Sequence, residues 1–155
     1  MQIELILNGK ATSLRVGKAE FLSEVLRRQG LLSVRKGCDT SCCGICSIWL
    51  DGRPTLSCSL LAIRAEGREV VTIEGVEAEA KRFAEILAVE GAEQCGFCSP
   101  GFIMTVLALK RELPQATEGQ IIEYLKGNLC RCTGYMGQMR AVRTYLGGKD
   151  NEDGR

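Results

Sequence analysis

The sequence contains no histidine. That absence excludes zinc sites of the mixed cysteine–histidine kind, Rieske-type centres, and any acid–base or nucleophilic mechanism that depends on an imidazole. No stretch of about 18 consecutive apolar residues occurs, so no membrane span is expected. The opening Met-Gln-Ile-Glu-Leu-Ile-Leu-Asn-Gly lacks the basic segment and apolar core of a signal peptide and carries no twin-arginine signal, so the expected location is the cytoplasm. A charge excess of either sign is also missing. Twenty Lys and Arg stand against 19 Asp and Glu, a net charge of +1, which argues against a nucleic-acid binder. There is no Walker A or Rossmann glycine signature, so neither nucleotide nor flavin is expected to bind this chain itself. The carboxylates are scattered, and no two of them are placed as an acid–base couple. No catalytic residue is therefore expected.

What the chain does have is cysteine: nine in 155 residues. In a reducing compartment, with an odd count and most of the cysteines a few residues apart, ligation accounts for them better than disulfides do. Cys38, Cys43 and Cys46 follow a C-x4-C-x2-C spacing, and Cys58 comes after eleven further residues. That is the ligand spacing of a plant-type [2Fe–2S] site. Gly37 and Gly44 fall where the backbone must curl round an inorganic core and bring N–H groups toward sulfur. Cys42, beside Cys43, is a competing fifth thiol. Cys43 is preferred as ligand because Cys43-Gly-Ile-Cys46 places a glycine between two ligands and completes the spacing, which leaves Cys42 spare.

A second quartet lies downstream. Cys95-Gly-Phe-Cys98 is followed, after 31 residues, by Cys130-Arg-Cys132. A structural zinc site favours two to four residues between paired cysteines, so C-x-C fits zinc poorly. A zinc-stabilised interaction module and a pair of redox dithiols remain the alternatives for this group.

Local signals place both quartets. Ile3, Leu5 and Leu7, then Asn8-Gly9, then Thr12, Leu14 and Val16 predict a β-hairpin on a type I′ turn. Phe21 to Leu26 has helical spacing and Gly30 is a natural stop. Ile48 and Leu50 resume strand periodicity, Asp51-Gly52 turns the chain, and Glu69–Ile73 reads as a last strand. After Val76 strand signals cease. Helices are expected around Ala80–Leu87, from a Ser99 N-cap with Pro100 at the first helical position through Leu109, from a Thr117–Gln120 capping box through Leu125, and over about residues 137–145. Residues 148–155 are polar and expected to be disordered. Arg35 and Lys36 read as solvated surface cations. Trp49, Met104 and Leu107 read as packed residues, and Phe97 either as a simple packing residue or as one that shields a cluster from water.

Three blocks carry a resemblance to a known family: Lys-Gly-Cys-Asp-Thr-Ser-Cys-Cys-Gly-Ile-Cys, then Gln-Cys-Gly-Phe-Cys-Ser-Pro-Gly-Phe-Ile-Met, then Gly-Asn-Leu-Cys-Arg-Cys-Thr-Gly-Tyr. Over about residues 2–146 the chain resembles the small iron–sulfur subunit of the molybdenum hydroxylases, which include xanthine dehydrogenase, aldehyde oxidoreductase and aerobic carbon monoxide dehydrogenase. The resemblance implies an α+β architecture: a β-grasp, plant-type ferredoxin domain over residues 1–76 and a four-helix bundle over 77–147, each holding a [2Fe–2S] cluster. It implies Cys38, Cys43, Cys46 and Cys58 as ligands of one cluster, and Cys95, Cys98, Cys130 and Cys132 as ligands of the other. It places Gln94 and Cys132 against a molybdopterin cofactor on a large partner subunit, with FAD on a flavin-binding subunit. The implied role is to relay single electrons between the molybdopterin site and the flavin or another acceptor, in a complex whose substrate choice lies in the large subunit. A free-standing two-cluster ferredoxin is the other redox reading. Cys42 and the Met-Gly-Gln-Met block after Tyr135 depart from the family's usual pattern.

Overall fold

The computed structural model describes residues 1–147; the tail expected to be disordered lies outside the described residues. The chain is α+β, with a five-stranded sheet first and four of its five helices after it among the described residues.

Strands β1 (Gln2–Leu7) and β2 (Lys10–Arg15) pair antiparallel, with Leu7 opposite Lys10. Asn8 and Gly9 between them have φ of 50° and 77°, the left-handed pair a type I′ turn requires. Ile3, Leu5 and Leu14 point to one face and are buried there, as the period-2 pattern dictates. Helix α1 (Leu22–Arg28) lays Leu22, Val25 and Leu26 on that face. Glu24 accepts a hydrogen bond from the Phe21 N–H at its start, and Gly30, at φ 87°, lies just past its end. Strand β3 (Ser47–Leu50) follows the first cysteine loop, and β5 (Glu69–Val71) lies between it and β1, parallel to β1 and antiparallel to β3.

Between them in sequence lies a strand that the residue pattern did not indicate, β4 (Arg53–Leu56), antiparallel to β3 and last in the order β2-β1-β5-β3-β4. Pro54 hides it. Proline donates no ladder hydrogen bond and is tolerated because this strand is an edge. The final strand is also shorter than the run to Ile73. The Thr72 N–H turns to Asn8 Oδ1 at 2.8 Å, and a 3-10 turn takes over at Ile73–Gly75.

Helices α2 (Glu77–Val89), α3 (Ser99–Glu112), α4 (Glu118–Leu125) and α5 (Met136–Tyr145) share a second core. Helix α3 is its axis: Gly101 through Leu109 are all buried, as in a helix covered on every side. Phe83 of α2 is fully buried, with its ring centroid 4.9 Å from that of Tyr145; burying such a side chain is worth about 1.5–3 kcal/mol. Thr117 and Gln120 form the expected capping box at α4. Ser99 is not an N-cap. Cys98 holds that position with helical dihedrals, Ser99 begins the helix, and its hydroxyl bonds Glu93.

The two cores meet at β3. All four of its residues are buried, Ile48 and Leu50 in the sheet–α1 core and Trp49 in the helical one. Trp49 Nε1 donates to Met104 O at 2.8 Å, and the Arg111 guanidinium lies 3.5 Å from its ring centroid. Trp49, Met104 and Leu107 are thus packed residues, as their sequence positions indicate.

Candidate metal centres

The first quartet is held by the loop between α1 and β3 and by the 3-10 turn Ser57–Ser59 after β4. The Cys38 and Cys43 thiols lie close enough to shift each other's titration, and so do those of Cys46 and Cys58. Ser57 Oγ donates to Cys46 O at 2.7 Å, tying the turn that carries Cys58 to the loop that carries Cys46. The second quartet comes from the start of α3 and from the segment joining α4 to α5. Cys95 and Cys132 Sγ lie 3.5 Å apart, and the Cys98 and Cys130 thiols lie close enough to shift each other's titration. The eight sulfurs therefore form four pairs, two in each quartet. Among the described residues no three Cys, Asp, Glu or His side chains gather tightly enough to surround a single ion.

Pairing carries chemical information. A tetrahedral zinc site brings four ligands to one atom, whereas a binuclear cluster takes two thiolates on each iron. Two pairs per quartet match the second donor set, and both quartets fit a [2Fe–2S] group on this ground.

Environment differs from thiol to thiol. Cys38 is pushed down to about 6 by the Cys43 thiol and by the N–H groups of Cys42, Cys43 and Thr40. Burial pushes the Cys46 and Cys98 thiols up to about 11, with Cys58 and Cys130 adding to it. Burial also raises Cys43. Cys95 is lowered by the Phe97 N–H and by Cys132, while Cys132 is raised by Cys95. At Cys130 burial acts upward, but the Thr133 hydroxyl and the N–H groups of Cys132 and Thr133 outweigh it and leave the thiol lowered. In three of the pairs one sulfur is lowered and its neighbour raised.

Cys42 stands apart from all four pairs. It is exposed, and among the described residues its sulfur meets only the Thr40 hydroxyl, at 3.1 Å. Gln94 sits beside the second quartet with Nε2 donating to Cys132 O at 3.1 Å. Lys36 pairs with Asp39 at the surface. Arg35 is not the solvated cation its sequence position suggests. Its Nη1 donates to Gly96 O at 2.6 Å and Phe97 O at 3.0 Å, and its guanidinium lies 5.4 Å from the Phe97 ring centroid. The loop before Cys38 thus holds the loop between Cys95 and Cys98, a contact across 61 residues with no local signal. Phe97 is half-exposed under that arginine.

The two quartets are also joined through the backbone. Leu129 N donates to Cys43 O at 2.9 Å, linking the residue before Cys130 to a cysteine of the first quartet. Cys43, Cys98 and Cys130 line one small gap, together with Asn128 and Gln138. Closeness here depends on two glycines. Gly44 has φ 67°, and a Cβ on it would stand 2.3 Å from Gly127 O. A Cβ on Gly101 would stand 2.6 Å from the Gly44 and Ile45 carbonyl oxygens.

Residues 5–70 match the family model of the 2Fe-2S iron-sulfur cluster binding domain, and residues 72–143 match that of the [2Fe-2S] binding domain. The chain is 47% identical over 139 residues to the xanthine dehydrogenase iron-sulfur-binding subunit of Escherichia coli O157:H7, covering 86% of each. It is 40% identical over 144 residues to the nicotinate dehydrogenase small FeS subunit of Eubacterium barkeri, covering 91% of this chain and 92% of that protein. In fold it is similar to a chain of quinoline 2-oxidoreductase from Pseudomonas putida 86, with a TM-score of 0.87 at 34% identity, covering 94% of this chain and 92% of that one.

Proposed function

The chain belongs to the family of small [2Fe–2S] subunits of the molybdenum hydroxylases and is an electron-transfer, non-catalytic subunit of such an oxidoreductase; from that premise we propose how its residues divide the task. Cys38, Cys43, Cys46 and Cys58 ligate one [2Fe–2S] cluster in a β-grasp ferredoxin domain over residues 1–76. Cys95, Cys98, Cys130 and Cys132 ligate the other in a four-helix bundle over residues 77–147. When bound, each cluster supplies the capacity to take up and release one electron. The chain's own residues hold the thiolates in pairs, exclude water from the inner sulfurs, and keep the two domains in contact through the Leu129 N–H and Cys43 carbonyl.

The observation that carries this reading is the arrangement of eight thiols as two pairs per quartet. Cys95 and Cys132 are exposed, so that end of the helical domain is the face open to a partner. We assign it to the large molybdopterin-binding subunit, with Gln94 and Cys132 against the cofactor. With both clusters bound, the Cys98/Cys130 side would face the ferredoxin domain, and the chain would relay single electrons between the molybdopterin site and a flavin-binding subunit carrying FAD or another acceptor. Among the described residues no helix is long and apolar enough to cross a membrane.

Anaerobic purification followed by iron and acid-labile sulfide analysis and EPR of the reduced protein tests the assignment. Two clusters per chain are expected, with iron and sulfide in equal amounts and two distinct signals. Stoichiometric zinc without sulfide would overturn it, and isolation as a stable carrier with no large molybdenum-containing partner would favour a free ferredoxin.

A further inference from the structure

Gln138 is out of character with its neighbours. It faces inward from α5 beside Ala141, Val142 and Tyr145 and is only 4% exposed. A buried amide left without partners costs about 1–3 kcal/mol, yet among the described residues no buried side-chain nitrogen or oxygen is left bare. The contacts of Gln138 lie at the second quartet. Oε1 meets Thr133 Oγ1 at 3.2 Å, and Nε2 reaches toward Cys98 Sγ at 4.0 Å, the outer limit for an N–H···S contact. Thr133 Oγ1 also lies 3.1 Å from Cys130 Sγ as a donor, and accepts from the Tyr135 N–H at 3.3 Å. The Tyr135 hydroxyl accepts from the Cys130 N–H at 2.9 Å. Tyr135 itself sits at φ 70°, a left-handed conformation that costs a non-glycine residue roughly 1–2 kcal/mol, so the closed loop is held against local strain.

We propose that Thr133 and Gln138 are positioning residues that donate hydrogen bonds to the sulfurs of Cys130 and Cys98 and so raise the reduction potential of the helical-domain cluster. The proposal rests on reading Cys98 and Cys130 as ligands. Its physical basis is charge. Uptake of an electron adds negative charge to the cluster and its sulfurs, and donors aimed at sulfur stabilise that state more than the oxidised one. The outer pair, Cys95 and Cys132, is exposed and open to donors from outside the chain. The inner pair is more enclosed and depends on the protein. The two ends of an amide are nearly alike in shape, but a thiolate at Cys98 accepts only and therefore selects the Nε2 end. The single Thr133 hydroxyl proton then has two acceptors, Cys130 Sγ and Gln138 Oε1, and the charged sulfur takes the larger share.

Redox titration of the full-length protein with both clusters loaded, followed by EPR, tests this. Gln138→Met keeps the length and removes the donor; Thr133→Val keeps the shape and removes the hydroxyl. Each is expected to lower the midpoint of one cluster and leave the other unchanged, with Thr133→Val the larger shift and Thr133→Ser restoring the wild-type value. Unchanged midpoints, or equal shifts in both clusters, would overturn the proposal. A measurement on the wild type needs no variant: exchangeable protons coupled to the reduced helical-domain cluster should be lost from its hyperfine spectrum in D2O, and their absence counts against the proposal. A Cys98→Ser protein that keeps both clusters would overturn the ligand reading itself, whereas two intact clusters with insensitive midpoints overturn only the role of Thr133 and Gln138.

Discussion

The two cysteine quartets hold the same number of sulfurs in the same paired form and differ in how they are built. Three members of the first lie within the single loop from Cys38 to Cys46, and the fourth is brought in by the short β3–β4 hairpin that follows it. The second joins the start of α3 to Cys130 and Cys132, beyond α4, so it exists only when α3, α4 and α5 have packed. Exposure differs as well. Cys43 and Cys46 are buried, whereas Cys95 and Cys132 are open to solvent. A site built by a local loop can be covered by its own domain. A site at the end of a helical bundle keeps an outer face, which suits it to meet another protein.

Removing one ligand is expected to have the largest effect. Cys43→Ser is expected to abolish the EPR signal of the ferredoxin-type cluster and leave the helical-domain signal intact. Loss of both would show that the second quartet depends on the first. Next in size is the seam between them. Gly44→Ala adds a Cβ 2.3 Å from Gly127 O at a residue with φ 67°, for which left-handed strain and overpacking together cost about 2–5 kcal/mol. The melting temperature of the loaded protein should fall by several degrees, and an unchanged melt would show that the two halves need no such close approach. Arg35→Ala removes the charged donor on the Gly96 and Phe97 carbonyls, at a cost of about 1–2 kcal/mol. Iron should then leave the helical-domain cluster faster under chelator while the other cluster keeps its rate.

Smaller effects sharpen the comparison. Burial favours the protonated form of Cys46 in the first quartet and of Cys98 in the second at neutral pH, pushing both thiols up to about 11. Ligation needs the thiolate, so loading releases protons and should weaken as pH falls and strengthen as it rises toward about 11; pH-stat titration during reconstitution measures the release. The smallest effect is expected at Cys42. Exposed and outside the four pairs, Cys42→Ser should leave both EPR signals unchanged.

Much of this was legible along the chain because the signals are local. Asn8-Gly9 specifies its turn through two left-handed dihedrals, and Thr117 with Gln120 caps a helix within a single turn. The edge strand at Arg53–Leu56 was not legible, since four residues containing Pro54 carry too little pattern and its hydrogen bonds come from β3. Ser99 misled because Ser-Pro is a common helix entry, while Cys98 had already taken up helical dihedrals at the cap. Cys43 could be preferred over Cys42 from spacing, but its contact with the Cys38 thiol is a feature of the folded loop.

The sequence by itself determined the chemistry: two cysteine quartets with distinct spacings, no imidazole, and no acid–base couple, all of which follow from residue type and distance along the chain. Only the tertiary structure decided which sulfurs stand together, which pair faces solvent, that Arg35 spans to the second quartet, and that Gln138 and Thr133 surround its inner sulfurs. Most of those contacts join residues on separate elements, tens of positions apart. They exist because two cores meet at β3 and α3, and no local propensity encodes that meeting.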